Sequence, residues 1–355
     1  MLTLVVSLVA AIQLAVYSVD AYECRDMSNQ SVDWWMIYKL PEGSGTVPDG
    51  LGFYYMDANI VSFTMSNVSV NQSNHALAYT MAQYYNAMHD PNTFHVMYND
   101  EPPGTKDAEH DEEMAEKAVE YGHTKGVSFF NSATGIWLIH SVPTFPNPSS
   151  YSWPAGERGI DYGQSMLCIS MNYDQLASIG TQLFYNHPHI YSSQLPAFMV
   201  AANPDLAKVI GKKYQQGTPT SSIKRLVSSG GIAFTSFAKT ADFKADLYDG
   251  IIAPSLGAPL LVETWRRNHT IPLVCNNSHT VLDVQDIHIL KSNAFKYTKD
   301  HSKWAVTASG GQMITCIGDI NRMTSQYERG GGAVCIKNFY VWSAYKNTIV
   351  DTNHC

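Results

Sequence analysis

The chain has 355 residues, 45% hydrophobic and 15% charged, with 24 Gly and 16 Pro scattered along it. That excludes a disordered or collagen-like polymer and allows one large domain or two fused units. A formal net charge of −8 excludes a generally basic nucleic-acid surface at pH 7, yet protonating all 13 histidines would carry it to +5. The first residues, MLTLVVSLVAAIQLAVYS, form an apolar run ending in small residues. They predict a secretory signal peptide over residues 1–21, closed by Val19-Asp20-Ala21, although only the amino terminus supplies a charged n-region. A retained anchor is the alternative, disfavoured by Asp20, Glu23 and Cys24 directly after the run. No other stretch is long and apolar enough to span a bilayer, so no stable membrane association is expected.

Two further features agree with secretion. Five Asn-x-Ser/Thr sequons (Asn29, Asn67, Asn71, Asn268 and Asn276) are glycosylation acceptors in the secretory pathway. The six cysteines (Cys24, Cys168, Cys275, Cys316, Cys335 and Cys355) fit no zinc spacing and read as disulfides, with 15 pairings open.

VDWWMIYKL (32–40) predicts a buried strand closed by Pro41, and AYTMAQYYNAM (78–88) a helix. TFHVMYND (93–100) predicts a strand running into the turn formers Pro102, Pro103 and Gly104. The acidic segment 106–122 reads as a loop or solvated helix without chemistry of its own. Strands and helices alternate along the chain, which argues an α/β class.

The chemistry-bearing feature is a tripeptide that occurs twice: His123-Thr124-Lys125 and His301-Ser302-Lys303. Given 13 His and 16 Lys, chance alone supplies roughly 0.6 His-x-Lys matches, so the count carries little weight. The contexts carry more. The first copy precedes GVSFF, the turn-like NSATG and the strand IWLIH ending at His140; the second precedes WAVT, ASGGQ and MITCIGD ending at Asp319. Each reads as a strand bearing His-x-Lys that feeds a hairpin, whose return strand delivers a polar residue. This pattern suggests a duplication with two half-sites. The plain alternative is two surface histidines beside solvated lysines.

Two imidazoles on opposite sides of one phosphorus divide the work of phosphodiester cleavage. One, neutral, attacks and becomes a phosphohistidine; the other, protonated, serves the leaving oxygen and later activates water. Two lysines would hold the non-bridging oxygens, and the scheme needs no metal or other cofactor. The two proton affinities must then be split.

The motifs "VDWWMIYKLP", "YNDEPP", "GHTKGV", "WLIHSVPTFP", "YSWP", "YGQSMLC", "SFAK", "DHSKW", "CIGDINR" and "RGGGAVC" resemble, in order, those of the deoxyribonuclease II family of the phospholipase D-like superfamily. The resemblance spans nearly the whole mature chain. It implies two pseudo-symmetric α/β halves sharing one active site, here residues 22–200 with the first motif and 201–355 with the second. It implies metal-independent hydrolysis of double-stranded DNA at acid pH, leaving 3′-phosphate and 5′-hydroxyl ends. Its catalytic residues carry over as His123, Lys125, His301 and Lys303, with His301 favoured as nucleophile and His123 as general acid. It implies the pairs Cys24–Cys168, Cys275–Cys355 and Cys316–Cys335, the last bracketing Asp319, Asn321 and Arg322. The wider superfamily continues from His-x-Lys to an Asp several residues on; this chain has Asn131 and Thr307 there. His140 and Asp319 are therefore candidates for the orienting role, the alternative being that His140 merely packs against Pro143 and Pro146. Asn321, Arg322 and Gly330–Gly332 are candidates for phosphate contact, with a structural hairpin the equal reading for the glycines.

Other signals weigh less. His187-Pro188-His189 lacks the Cys, Asp or Glu neighbours of a metal site and reads as a loop. The tyrosines and tryptophans are read as core rather than base-stacking platforms. Lys212-Lys213 and Lys224-Arg225 read as solvated surface. A phospholipid substrate and a secreted toxin built on the nuclease scaffold are the competing functions. Lysosomal or exported destinations both fit, and a homodimer is compatible with the sequence.

Overall fold

The computed structural model describes residues 21–45, 47, 49–105, 120–266, 270–273, 275, 279–290, 292–309 and 311–355. The predicted leader apart from Ala21, most of the acidic segment, and the sequons at Asn268 and Asn276 lie outside these residues; Asn29, Asn67 and Asn71 are exposed. Among the described residues, no helix is long and apolar enough to cross a membrane.

A short pair, β1 (Cys24–Arg25) and β2 (Ser31–Val32), precedes the predicted strand, which forms as β3 (Trp34–Lys39). Trp34, Met36 and Tyr38 enter one apolar cluster, Trp35 and Ile37 another. That two-residue alternation between two buried faces is why the segment reads as an unbroken apolar run.

β3 belongs to an eight-stranded sheet with β4 (Phe53–Asp57), β5 (Thr64–Met65), β6 (Phe94–Asn99), β7 (Lys125–Phe130), β8 (Thr134–His140), β9 (Gln164–Asn172) and β10 (Ile190–Gln194). Its order is β10-β6-β7-β8-β9-β3-β4-β5. The second sheet comprises β11 (Ser221–Val227), β12 (Ala233–Lys239), β13 (Leu260–Glu263), β14 (Val281–Ile289), β15 (Asn293–Lys296), β16 (Trp304–Thr307), β17 (Ile314–Gly318), β18 (Gly331–Lys337) and β19 (Ile349–Thr352). It is ordered β11-β12-β18-β17-β16-β13-β14-β15, with β19 also pairing β14. The pairing of β13 with β14 is parallel, whereas the strands that carry the motifs pair antiparallel.

The chain is thus mixed α/β, with sheets dominant. The predicted alternation of strands and helices holds only in part. Strands such as β7 and β8, or β16 and β17, are consecutive in the chain and pair antiparallel, and antiparallel neighbours need no crossover helix. The helix predicted at 78–88 spans Ala76–Ala87 (α1) and packs Ala76, Leu77 and Met81 against Trp35 and Ile37.

One apolar cluster joins the sheets. It contains Trp137, Leu167 and Ile169 from the first and Trp304, Ile317 and Val334 from the second. β17 lies against β8 and β9, so the ends of the two return strands meet. Cys24 is bonded to Cys168, Cys275 to Cys355, and Cys316 to Cys335, which face each other across β17 and β18.

Candidate active site

The two tripeptides sit at strand entrances rather than inside strands: His123 and Thr124 just before β7, and His301–Lys303 just before β16. Their hairpins pair Gly126 with Ile139 and Trp304 with Ile317, which sets His140 and Asp319 at the far ends of the return strands.

Each histidine is held by the opposite sheet. The His123 backbone N–H donates to the Gly330 carbonyl at 2.9 Å, and its Nδ1 donates to the Asp319 carbonyl. The His301 N–H donates to the Gly163 carbonyl at 2.8 Å, and its Nδ1 faces the Ser141 carbonyl at 3.1 Å and Gln164 Oε1 at 3.3 Å. A carbonyl only accepts, so each ring carries its proton on Nδ1 and leaves Nε2 outside that anchoring.

The surroundings of the rings differ. Asp100, just past β6, is buried and takes Lys125 Nζ on Oδ1, Arg329 Nη2 at 3.0 Å on Oδ2, and lies 3.7 Å from His123 Nε2. Burial alone would raise its carboxyl, but Lys125, His123 and Arg329 hold it well below the ordinary carboxylate range. His301 has Lys303 Nζ 3.3 Å from Nδ1, with that ammonium donating to the His301 carbonyl at 2.6 Å, and Trp265 edge-on at 5.3 Å between ring centroids. Burial lowers both imidazoles well below the usual value; Asp100 pulls His123 back up, while Lys303 and Lys125 push His301 further down. The charges of each tripeptide act on the histidine of the other.

The middle hydroxyls are also tied. Thr124 Oγ1 donates to Asp319 Oδ2, whose other oxygen accepts the Gly332 N–H at 2.9 Å. Ser302 Oγ donates to the buried Asp300 at 2.7 Å, which also receives the Tyr38 hydroxyl. Burial pushes Asp319 up to about 7 despite those donors, and pulls Lys303 down to about 7, aided by Lys125.

Of the supporting candidates, Asp319 meets the first tripeptide through both its carbonyl and its carboxylate. His140 is fully buried on Phe145, accepts the Val142 N–H on Nδ1 at 3.2 Å, and is held down to about 3 by burial and then Lys125. Asn321 is buried with its Oδ1 unpartnered. The phosphate role expected of Arg322 is corrected: its guanidinium is buried, with Nη1 donating to both oxygens of Asp283 at 3.0–3.1 Å and Nε 3.6 Å from Asp246 Oδ2. Gly330–Gly332 fit the structural reading, their missing side chains answering to packing. A Cβ would meet Asn186 O at 2.4 Å from Gly330 and Phe237 O at 2.5 Å from Gly332. His187 stacks on Tyr214 and His189 on Tyr121, and no group of three or more metal-ligating side chains occurs among the described residues.

Gly122, which leads into His123, is equally confined: a Cβ there would lie 1.8 Å from Asn186 O. Gly122→Ala is expected to cost about 1–3 kcal/mol by displacing the backbone that leads into His123, read from thermal unfolding.

Residue reasoning passed over Asp100, Arg329, Ser141, Gln164 and the two glycine carbonyls. Asp100 stood inside a quoted motif; an acidic residue ending an apolar strand was its one signal.

A family model described as Deoxyribonuclease II matches residues 23–355. The chain is 46% identical to Deoxyribonuclease-2 of Caenorhabditis elegans, with 94% of each covered. It is 39% identical to Plancitoxin-1 of Acanthaster planci over 95% of this chain and 93% of that one. It is 36% identical to Deoxyribonuclease-2-alpha of Mus musculus over 95% and 94%.

Proposed function

This chain belongs to the deoxyribonuclease II family, and from that premise we propose a metal-independent acid endonuclease that cleaves double-stranded DNA by a two-histidine mechanism. The observation that carries the reading is the crossed anchoring of His123 and His301 through Nδ1, which leaves the two Nε2 atoms in unlike electrostatic surroundings, that of His123 beside Asp100.

His301, with Nδ1–H donated to Ser141 and cations beside it, stays neutral and keeps a lone pair on Nε2. It attacks phosphorus, a P–N bond forms, and the P–O5′ bond breaks. His123, whose positive form is favoured by Asp100, gives its Nε2 proton to the departing O5′. It then takes a proton from water, whose oxygen attacks phosphorus and breaks the P–N bond. One water is consumed, and the products are a 3′-phosphate and a 5′-hydroxyl. Lys125 and Lys303 offset charge on the non-bridging oxygens.

The halves are further proposed to be pseudo-symmetric in the phospholipase D-like manner, residues 22–200 against 201–355. Support comes from matched strand orders: β6-β7-β8-β9-β3 in one sheet and β13-β16-β17-β18-β12 in the other, each with its tripeptide at the entrance to the second strand. The disulfides and exposed sequons support a secretory route to lysosome or exterior.

The pH dependence follows from Lys303 and Asp319, both near 7. Below that value Lys303 is an ammonium and Asp319 a neutral acid. As pH rises through it, one positive charge is lost and one negative charge appears beside the phosphate. His123 also needs acid to charge. Activity should therefore peak at acid pH and fall about tenfold per unit above 7 for each deprotonation that must be reversed. Plasmid nicking across pH 4–9 in excess EDTA tests this. A requirement for divalent metal, an alkaline optimum, or phospholipid turnover without nicking would each overturn it.

A further inference from the structure

Two buried lysines outside the tripeptides occupy equivalent places in the two sheets. Lys39 ends β3 and pairs with Gln164 at the start of β9; Lys239 ends β12 and pairs with Gly331 at the start of β18. Both side chains are withdrawn from solvent, and among the described residues neither has a carboxylate within salt-bridge distance. Their partners are backbone carbonyls instead. Lys39 Nζ donates to Ile160 at 2.6 Å and Tyr162 at 2.8 Å. Lys239 Nζ donates to Gln326 at 2.9 Å, Tyr327 at 3.2 Å and Arg329 at 2.6 Å, which uses all three of its protons.

An ammonium buried with its counter-charges beyond ion-pair distance, Asp161 and Asp300 for Lys39 and Asp246 for Lys239, is costly, so its ligands are held firmly once it is in place. In both cases the loop it gathers ends at the glycine whose carbonyl accepts a motif histidine's backbone N–H: Gly163 for His301, and Gly330 for His123. Each lysine therefore belongs to one sheet and acts on the histidine of the other.

We infer that Lys39 and Lys239 are positioning residues, each fixing through a carbonyl-lined loop the backbone of the opposite sheet's histidine. Lys39 sets His301 and Lys239 sets His123. Loss of either ammonium frees its loop, leaving on these carbonyls only the Glu42 N–H to Ile160 and the Arg329 N–H to Gln326, each at 3.2 Å, and the histidine it anchors drifts from line. Burial pulls Lys39 down to about 7 and Lys239 to about 8, so both remain ammonium in the acid range.

This rests on the acid and nucleophile roles given above, and the test separates the two ideas. The substrates are plasmid DNA and thymidine 3′-(4-nitrophenyl phosphate), whose nitrophenolate leaves without a proton, and rates are read in the first turnover, before the water attack that needs His123 as base. His123→Ala is the benchmark and should lose far more on DNA than on the nitrophenyl ester. Lys239→Met should show the same asymmetry, with DNA cleavage down about 10²-fold and the ester within about threefold of wild type. Lys39→Met disturbs the nucleophile, so both substrates should fall together, by about 10- to 100-fold.

Folding is checked by circular dichroism and thermal unfolding. Should a methionine variant fail to fold, Lys39→Gln or Lys239→Gln, whose amide still reaches one carbonyl, takes its place. A folded Lys239 variant with equal losses on both substrates, or none, overturns the inference while leaving the histidine roles standing. A Lys39 variant impaired on DNA alone does the same. A His123→Ala enzyme without leaving-group selectivity removes the role assignment, and the inference with it.

Discussion

His301→Ala is expected to lower plasmid nicking at acid pH by about 10⁴-fold or more and to abolish any phosphoenzyme trapped in acid-quenched reactions. The expectation is large because a nucleophile has no substitute: alanine removes the atom that bonds to phosphorus, and water must then attack without covalent assistance. His123→Ala should cost about 10²–10⁴-fold, since its proton can in part come from solvent. The two differ further in what accumulates. Without His123 the second step lacks a base, so any phosphoenzyme formed should persist. Rapid quench of ³²P-labelled oligonucleotide with each variant reads both quantities. A His301→Ala enzyme that retains normal turnover, or a phosphoenzyme that survives in it, removes His301 as nucleophile.

Asp100→Asn should also be damaging, though Asp100 performs no bond chemistry. Its carboxylate is shared by Lys125, Arg329 and, at 3.7 Å, His123 Nε2. Asparagine leaves two buried cations uncompensated, which should cost about 3–5 kcal/mol of stability. It also withdraws the negative charge that favours protonated His123. The sign is fixed by that geometry: with the anion gone, the imidazole holds its proton less well, so more acid is needed to charge it. The activity profile should shift to lower pH, and the rate at the optimum should drop by about 10²-fold. Thermal unfolding and kcat/KM against pH check the two effects separately. An unshifted profile in a folded Asp100→Asn enzyme would show that Asp100 serves stability alone.

The strands and the two tripeptides were legible in the sequence because their signals are local. VDWWMIYKL has the composition of a doubly buried strand whatever it packs against, and β3 spans Trp34–Lys39. The hairpins after HTK and HSK were legible for the same reason, since turn formers flanked by apolar runs specify a hairpin over a dozen residues or so. Arg322 shows where such reading stops. Its place beside Asp319 in sequence suggested a phosphate ligand, yet Asp283 and Asp246 come from other strands and loops to take its charge.

The sequence by itself determined the inventory: two His-hydroxyl-Lys elements, six paired cysteines, a chain rich in strands, and motifs specific enough to declare a family. Tertiary structure decided what makes the histidines unlike each other. Asp100 lies 25 residues from Lys125 and 229 from Arg329, and the carbonyls that orient the rings come from the opposite sheet. Proton affinity in a buried site depends on charges and dipoles within a few ångströms, and chain order does not record which distant segments supply them.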